Sequence, residues 1–176
     1  MNDLALCVNM LNVSLKKRGL PSISEHKYKQ EFLFPIKKFY ETIGFDFSNE
    51  NFEVTNEEFH IGYEANFKKL ALQPYAIDTL SYFKKLGITQ SILSATIQQK
   101  LDDQVDFFGI SHLFDNVVGI SNTPSGYGKE FEGKELINSV NISLKDTIII
   151  GDSMLDFNVS KALNIDCALV SNGHNN

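Results

Sequence analysis

Residues 147–171, TIIIGDSMLDFNVSKALNIDCALVS, constrain the fold more than any other stretch. Two short apolar runs enclose a helical segment. Strands joined through a helix pair in parallel, because the crossover returns the chain to the same end of the sheet. The first run stops at Gly151-Asp152, and a second carboxylate, Asp156, follows one helical turn later.

The same alternation starts at Pro74. DTLSYFKKLG reads as a helix closed at Gly87, SILSA as a short buried strand, and TIQQKLDDQVDFFG as a helix. NVVGI is a strand, GKELINSVN a helix, TIIIG a strand, LDFNVSKALN a helix and CALVS a strand. This order predicts an α/β fold, a doubly wound parallel sheet with helices on both faces. Upstream, the pattern is helical. Leu4, Cys7, Val8, Leu11 and Leu15 share one face before Gly19-Leu-Pro ends that helix. SEHKYKQEFLFPIKKFYETIG continues as helix, interrupted at Pro35 and closed at Gly44. TNEEFHIGYEANFKKLAL opens with a capping box, Thr55 and Glu58, and aligns Phe59, Tyr63, Phe67 and Leu70. The turn at Leu72-Gln-Pro-Tyr therefore divides a helical region, 1–72, from an α/β region, 73–176.

A chain of 176 residues that is 43% hydrophobic supports one domain with a small insertion. Its net charge of −6 argues against nucleic acid or an anionic membrane as partner. Cys7 and Cys167 form neither a disulfide framework nor a zinc spacing. The start, MNDLALCVNMLNVSLKKRG, lacks the basic n-region of a signal peptide, and no run reaches transmembrane length. A cytoplasmic setting is expected. Oligomeric state is not encoded in any visible pattern.

Ligands of open parallel sheets bind at the carboxyl ends of the strands. Ser94 ends SILS, Asp152 ends TIIIGD with Asp156 beyond it, and Lys129 follows NVVGI in GYGKEF. A hydroxyl, a lysine and a carboxylate pair suit a phosphate with Mg²⁺, which takes one or two carboxylates plus phosphate and water. Each also has a plainer role: Asp at a helix start, Ser capping a strand end, Lys in solvent. His174 in NGHN follows the last strand and reads as a free terminal histidine; His26, His60 and His112 have no ligand-spaced partners.

ILSAT, GYGKEFEGKEL and IIIGDSMLDFNVSKALNID resemble motifs two, three and four of the haloacid dehalogenase superfamily, nearest to phosphoglycolate-phosphatase-like hydrolases with a helical cap. The resemblance implies that residues 1–72 form the cap, that Ser94 hydrogen-bonds the transferring phosphoryl group and that Lys129 neutralises it. It implies that Asp152 ligates Mg²⁺ and that Asp156 completes the acidic end through water or the Gly-Asp turn. The substrate would be a small phosphomonoester, hydrolysed through an aspartyl-phosphate.

One departure matters. The family's Asp-x-Asp-Gly-Thr strand, carrying nucleophile and general acid/base, has no counterpart in residues 1–176. In the family it lies centrally, between the strands ending here at Ser94 and Asp152. The reading is therefore a truncated form of a working enzyme, inactive as written because Asp3, the only acid near the start, sits at a helix entry. The alternatives are a degenerate domain that binds a partner or phosphorylated ligand without turnover and, more remotely, a GDSL-type serine esterase using Ser153. GKEFEGK has phosphate-loop spacing, but Glu135 stands where Ser or Thr would bind Mg²⁺, and Glu130 and Glu132 repel phosphate.

Overall fold

A computed structural model describes residues 1–121, 129–140 and 142–175. Its first part is helical: α1 (Leu4–Lys17), α2 (Glu25–Glu31), α3 (Ile36–Thr42) and α4 (Phe52–Glu64). The periodicity of α1 places Cys7, Val8, Leu11 and Leu15 in one core with Ile23, Tyr28, Phe39, Tyr40, Ile43 and Phe45. Burying large aromatic and aliphatic side chains here contributes roughly 1.5–3 kcal/mol each. Pro35 precedes α3, where its missing N–H costs no helical bond.

The start of α4 differs from the capping-box reading. The helix begins at Phe52, and the Asn51 side chain caps it by accepting the Glu53 N–H at 3.0 Å. Thr55 and Glu58 instead serve a charge from another helix. Arg18, at the end of α1, donates from Nη2 to the Thr55 hydroxyl (3.0 Å) and from Nη1 to Glu58 (3.0 Å). Its Nε and Nη2 also pair with Glu50, and Nη1 donates to the Ser14 carbonyl at 3.0 Å. The Arg18 side chain is only 17% exposed, so Thr55, Glu58 and Glu50 lock the end of α1 to α4 and the loop before it.

After a short 3₁₀ turn at Phe67–Lys69 come α5 (Ala76–Lys85), β1 (Ser91–Ile97), α6 (Gln98–Phe107), β2 (Asn116–Ile120), α7 (Glu130–Val140), β3 (Ile148–Gly151), α8 (Met154–Leu163) and β4 (Asp166–Leu169). Strand and helix alternate as the sequence predicts, and every strand pairing is parallel. β1 pairs with β2 from Ser91↔Asn116, with an irregularity between Leu93 and Ile97. β3 pairs with β4 from Ile148↔Asp166 to Gly151↔Leu169.

The sheet itself departs from a single continuous one. The described residues form two separate two-stranded ladders, β1-β2 and β3-β4, with no strand hydrogen-bonded between them. Neighbouring strands must lie about 4.8 Å apart to share a ladder, so packing rather than backbone pairing joins these two. Leu93 of β1, Ile137 of α7 and Ile149 of β3 all pack against the buried cluster of Val159 and Leu163 of α8 with Ile165. Gly133 lets α7 approach closely: a Cβ there would stand 3.0 Å from Leu93 and 3.1 Å from Leu163. On β3, Ile148 and Ile150 remain 54% and 61% exposed.

Candidate active site

Asp156 is the organising group. It lies in the first turn of α8, and its side chain is only 8% exposed. Oδ2 accepts the backbone N–H groups of Asp152 (3.1 Å) and Ser153 (3.0 Å) and the Ser153 hydroxyl (2.8 Å). Those donors belong to a helix N-terminus, where backbone N–H groups need acceptors and negative charge is favoured. Oδ1 lies 2.7 Å from Lys129 Nζ. Burial by itself would raise the Asp156 pKa, but the Lys129 charge and these hydrogen bonds outweigh it and hold the carboxyl below its ordinary value. Gly151 makes the arrangement possible, since a Cβ there would fall 2.2 Å from Asp156 Cγ. Asp156 is thus a buried bracket for the Gly-Asp turn, not an exposed helix residue.

Lys129 stands just before α7 and is 12% exposed. Besides Asp156, it donates to the Leu93 carbonyl at 2.6 Å. Its ammonium therefore ties β1 to α8 across the gap between the two ladders, with both partners strong acceptors. Residues 126–128, the opening of GYGKEF, lie outside the described residues. Lys134 lies in α7 and pairs with Glu130 at 2.6 Å.

Asp152 follows β3 and faces the tail of the chain. Its Oδ2 accepts the His174 backbone N–H at 2.7 Å. Gly173 permits that approach, because a Cβ there would come within 2.0 Å of Asp152 Oδ2. Ser94, within β1, is engaged locally: its hydroxyl accepts the Thr96 N–H at 3.1 Å and donates to Thr96 Oγ1 at 3.0 Å. The structure thus brings Lys129, Asp156 and the Asp152 turn together. It places Ser94 beside them through its neighbour Leu93, with its own hydroxyl engaged locally.

His174 corrects the sequence reading of a free terminal residue. Its ring bonds the Tyr28 hydroxyl through Nδ1 (2.9 Å) and Asp3 through Nε2 (3.2 Å). Asp3, at the entry of α1, also accepts the Tyr63 hydroxyl at 2.9 Å. Nothing local signals this cluster, because its members come from both ends of the chain and from α2 and α4. The same contacts oppose the esterase alternative: Ser153 is engaged with Asp156, and the His174 ring with Asp3 and Tyr28.

The model for haloacid dehalogenase-like hydrolases matches residues 1–170. The chain belongs to the haloacid dehalogenase-like hydrolase family. Solved structures share its fold. A predicted phosphoglycolate phosphatase from Haemophilus somnus superposes with a TM-score of 0.77 at 19% identity, covering 99% of this chain and 81% of that one. A predicted phosphatase from Clostridium acetobutylicum gives 0.79 at 21%, covering 98% and 81%. A haloacid dehalogenase-like family hydrolase from Streptococcus pneumoniae gives 0.74 at 18%, covering 98% and 80%. No curated protein matches the sequence. Among the described residues of this family member, no helix is long and apolar enough to cross a membrane.

Proposed function

We propose that this haloacid dehalogenase-like chain carries the lysine and acidic elements of a Mg²⁺-dependent phosphatase for a small, phosphoglycolate-like phosphomonoester. The observation that carries the reading is the buried Lys129–Asp156 pair fastened to the Asp152 turn. It fixes a lysine charge on the helix whose first turn holds the Asp152 backbone, the kind of preorganised charge that phosphoryl transfer uses. The predicted phosphatases of Haemophilus somnus and Clostridium acetobutylicum with the same fold support it. In this proposal residues 1–72 act as the cap and residues 73–176 as the core.

The donor set fits the metal in part. Asp152 offers a hard oxygen ligand, as Mg²⁺ prefers. Asp156 has both oxygens engaged by Lys129 and the turn, so its role is to hold Asp152 rather than to bind metal. Bound Mg²⁺ would supply charge neutralisation at the phosphoryl oxygens. Lys129 would neutralise further charge there, and Ser94 would donate its hydroxyl after releasing Thr96.

Attack through an aspartyl-phosphate needs the Asp-x-Asp-Gly-Thr strand, which residues 1–176 do not contain. By themselves these residues would bind a phosphorylated ligand without turnover, the second reading, and the missing motif is what favours it. The test is a form with such a strand fused ahead of residue 1, assayed with an aryl phosphate. Mg²⁺-dependent turnover that Asp152→Asn abolishes supports the phosphatase; turnover unaffected by Asp152→Asn rules out the metal role.

A further inference from the structure

We propose that Asp3, Cys7 and His174 form a second metal site, selective for a borderline-soft divalent cation such as Zn²⁺. One ligand atom from each side chain lies within 4.8 Å of the other two. Asp3 and Cys7 are four residues apart at the start of α1, so helical geometry points both the same way. His174 arrives from the opposite end of the chain, 171 positions away from Asp3. The site is distinct from Asp152 in its donors: a thiolate and an imidazole select Zn²⁺ over Mg²⁺, which takes oxygen ligands.

The surroundings are those of a built site. A metal-bound histidine normally donates its other ring N–H to an oxygen that fixes its orientation. Tyr28 Oη stands 2.9 Å from His174 Nδ1, ready for that role with Nε2 turned to Asp3. The Tyr63 hydroxyl holds the second oxygen of Asp3. Tetrahedral zinc places donors roughly 3.3–3.8 Å apart. Asp3 and His174, at 3.2 Å, lie just below the short edge of that spacing and need to separate only slightly, and Cys7 Sγ has about 1 Å to close at most. Cys7 is buried, while the Asp3 and His174 side chains are 16% and 22% exposed, so the cluster reaches solvent on their side. On binding, the Cys7 thiol releases its proton to solvent. The His174 proton resides on Nδ1, where Tyr28 Oη accepts it.

The consequence is a cross-link between α1 and the tail whose backbone N–H holds Asp152. The probe is Co²⁺ added to the 1–176 chain with excess Mg²⁺ present to fill oxygen-only sites. One equivalent should produce a thiolate-to-cobalt charge-transfer band, displaced by Zn²⁺, and should raise the thermal midpoint. Cys7→Ser should abolish the band, and His174→Gln should weaken Co²⁺ binding at least tenfold. Tyr28→Phe should weaken it about tenfold through loss of the orienting oxygen. Cys167→Ser should change nothing. Circular dichroism of each metal-free variant confirms folding, and His174→Gln, at a partly exposed tail position, tests the site even if Cys7→Ser unfolds. A folded chain with no band overturns the proposal. So does a band lost in Cys167→Ser but kept in Cys7→Ser, or unchanged affinity in His174→Gln.

Discussion

Lys129 Nζ lies 2.7 Å from Asp156 Oδ1, and the same ammonium reaches the Leu93 carbonyl at 2.6 Å. One charge therefore joins two ladders that share no strand pairing among the described residues. Removing either partner strands a charge in a largely buried place, which costs more than the pair itself contributes. Asp156→Ala should destabilise the chain by about 3–5 kcal/mol, read from urea unfolding. A change below about 1 kcal/mol would show that the ladders are held by packing of the Leu93 cluster alone.

Acid should attack the same point. The folded Asp156 carboxyl has a pKa below its ordinary 3.8, so it contributes stability above the unfolded value. That stability is lost as pH falls through the folded value. Asp3 acts in the same direction: burial opposes ionisation, but His174 and Tyr63 hold its carboxyl below its ordinary value. The thermal midpoint should fall as pH drops below about 4, and the fall should be shallower in Asp156→Asn than in the parent chain.

Gly173→Ala should disturb Asp152 without touching its charge. The added Cβ would lie 2.0 Å from Asp152 Oδ2, so the tail must lift and the His174 N–H···Asp152 hydrogen bond must break. Overpacking of this kind costs about 1–3 kcal/mol. Chemical denaturation measures it; a neutral Gly173→Ala would mean that the tail docks only weakly.

Arg18→Lys should cost about 1–3 kcal/mol. A lysine keeps the charge but cannot serve Glu50, Glu58 and Thr55 together, leaving the Thr55 hydroxyl fully buried without its donor. Full stability in Arg18→Lys would assign the α1–α4 contact to the aromatic core instead.

Residues 1–176 alone should show no useful turnover of an aryl phosphate with Mg²⁺. Asp3, the acid nearest the start, is held by Tyr63 and His174 at the entry of α1. Asp156 is engaged by Lys129. Robust turnover that survives Asp3→Asn would overturn the aspartyl-phosphate route.

Much of the fold was legible because its causes are local. Short β-branched runs separated by helical segments force parallel crossovers, and the 3.6-residue spacing in α1 names its buried face before any partner is known. The motif around Gly151-Asp152 was readable for the same reason: Asp156 reaches the turn from one helical turn away. The start of α4 was misread because Thr55 and Glu58 satisfy a capping pattern, while their partner, Arg18, is remote in sequence. Tertiary structure alone decided that Lys129 joins β1 to α8, that Ser94 turns to Thr96, and that His174 meets Asp3, Cys7 and Tyr28. Those choices depend on which segments pack side by side. Hydrophobic burial, which drives that packing, is non-directional, so polar partners are settled only once the chain has closed around them.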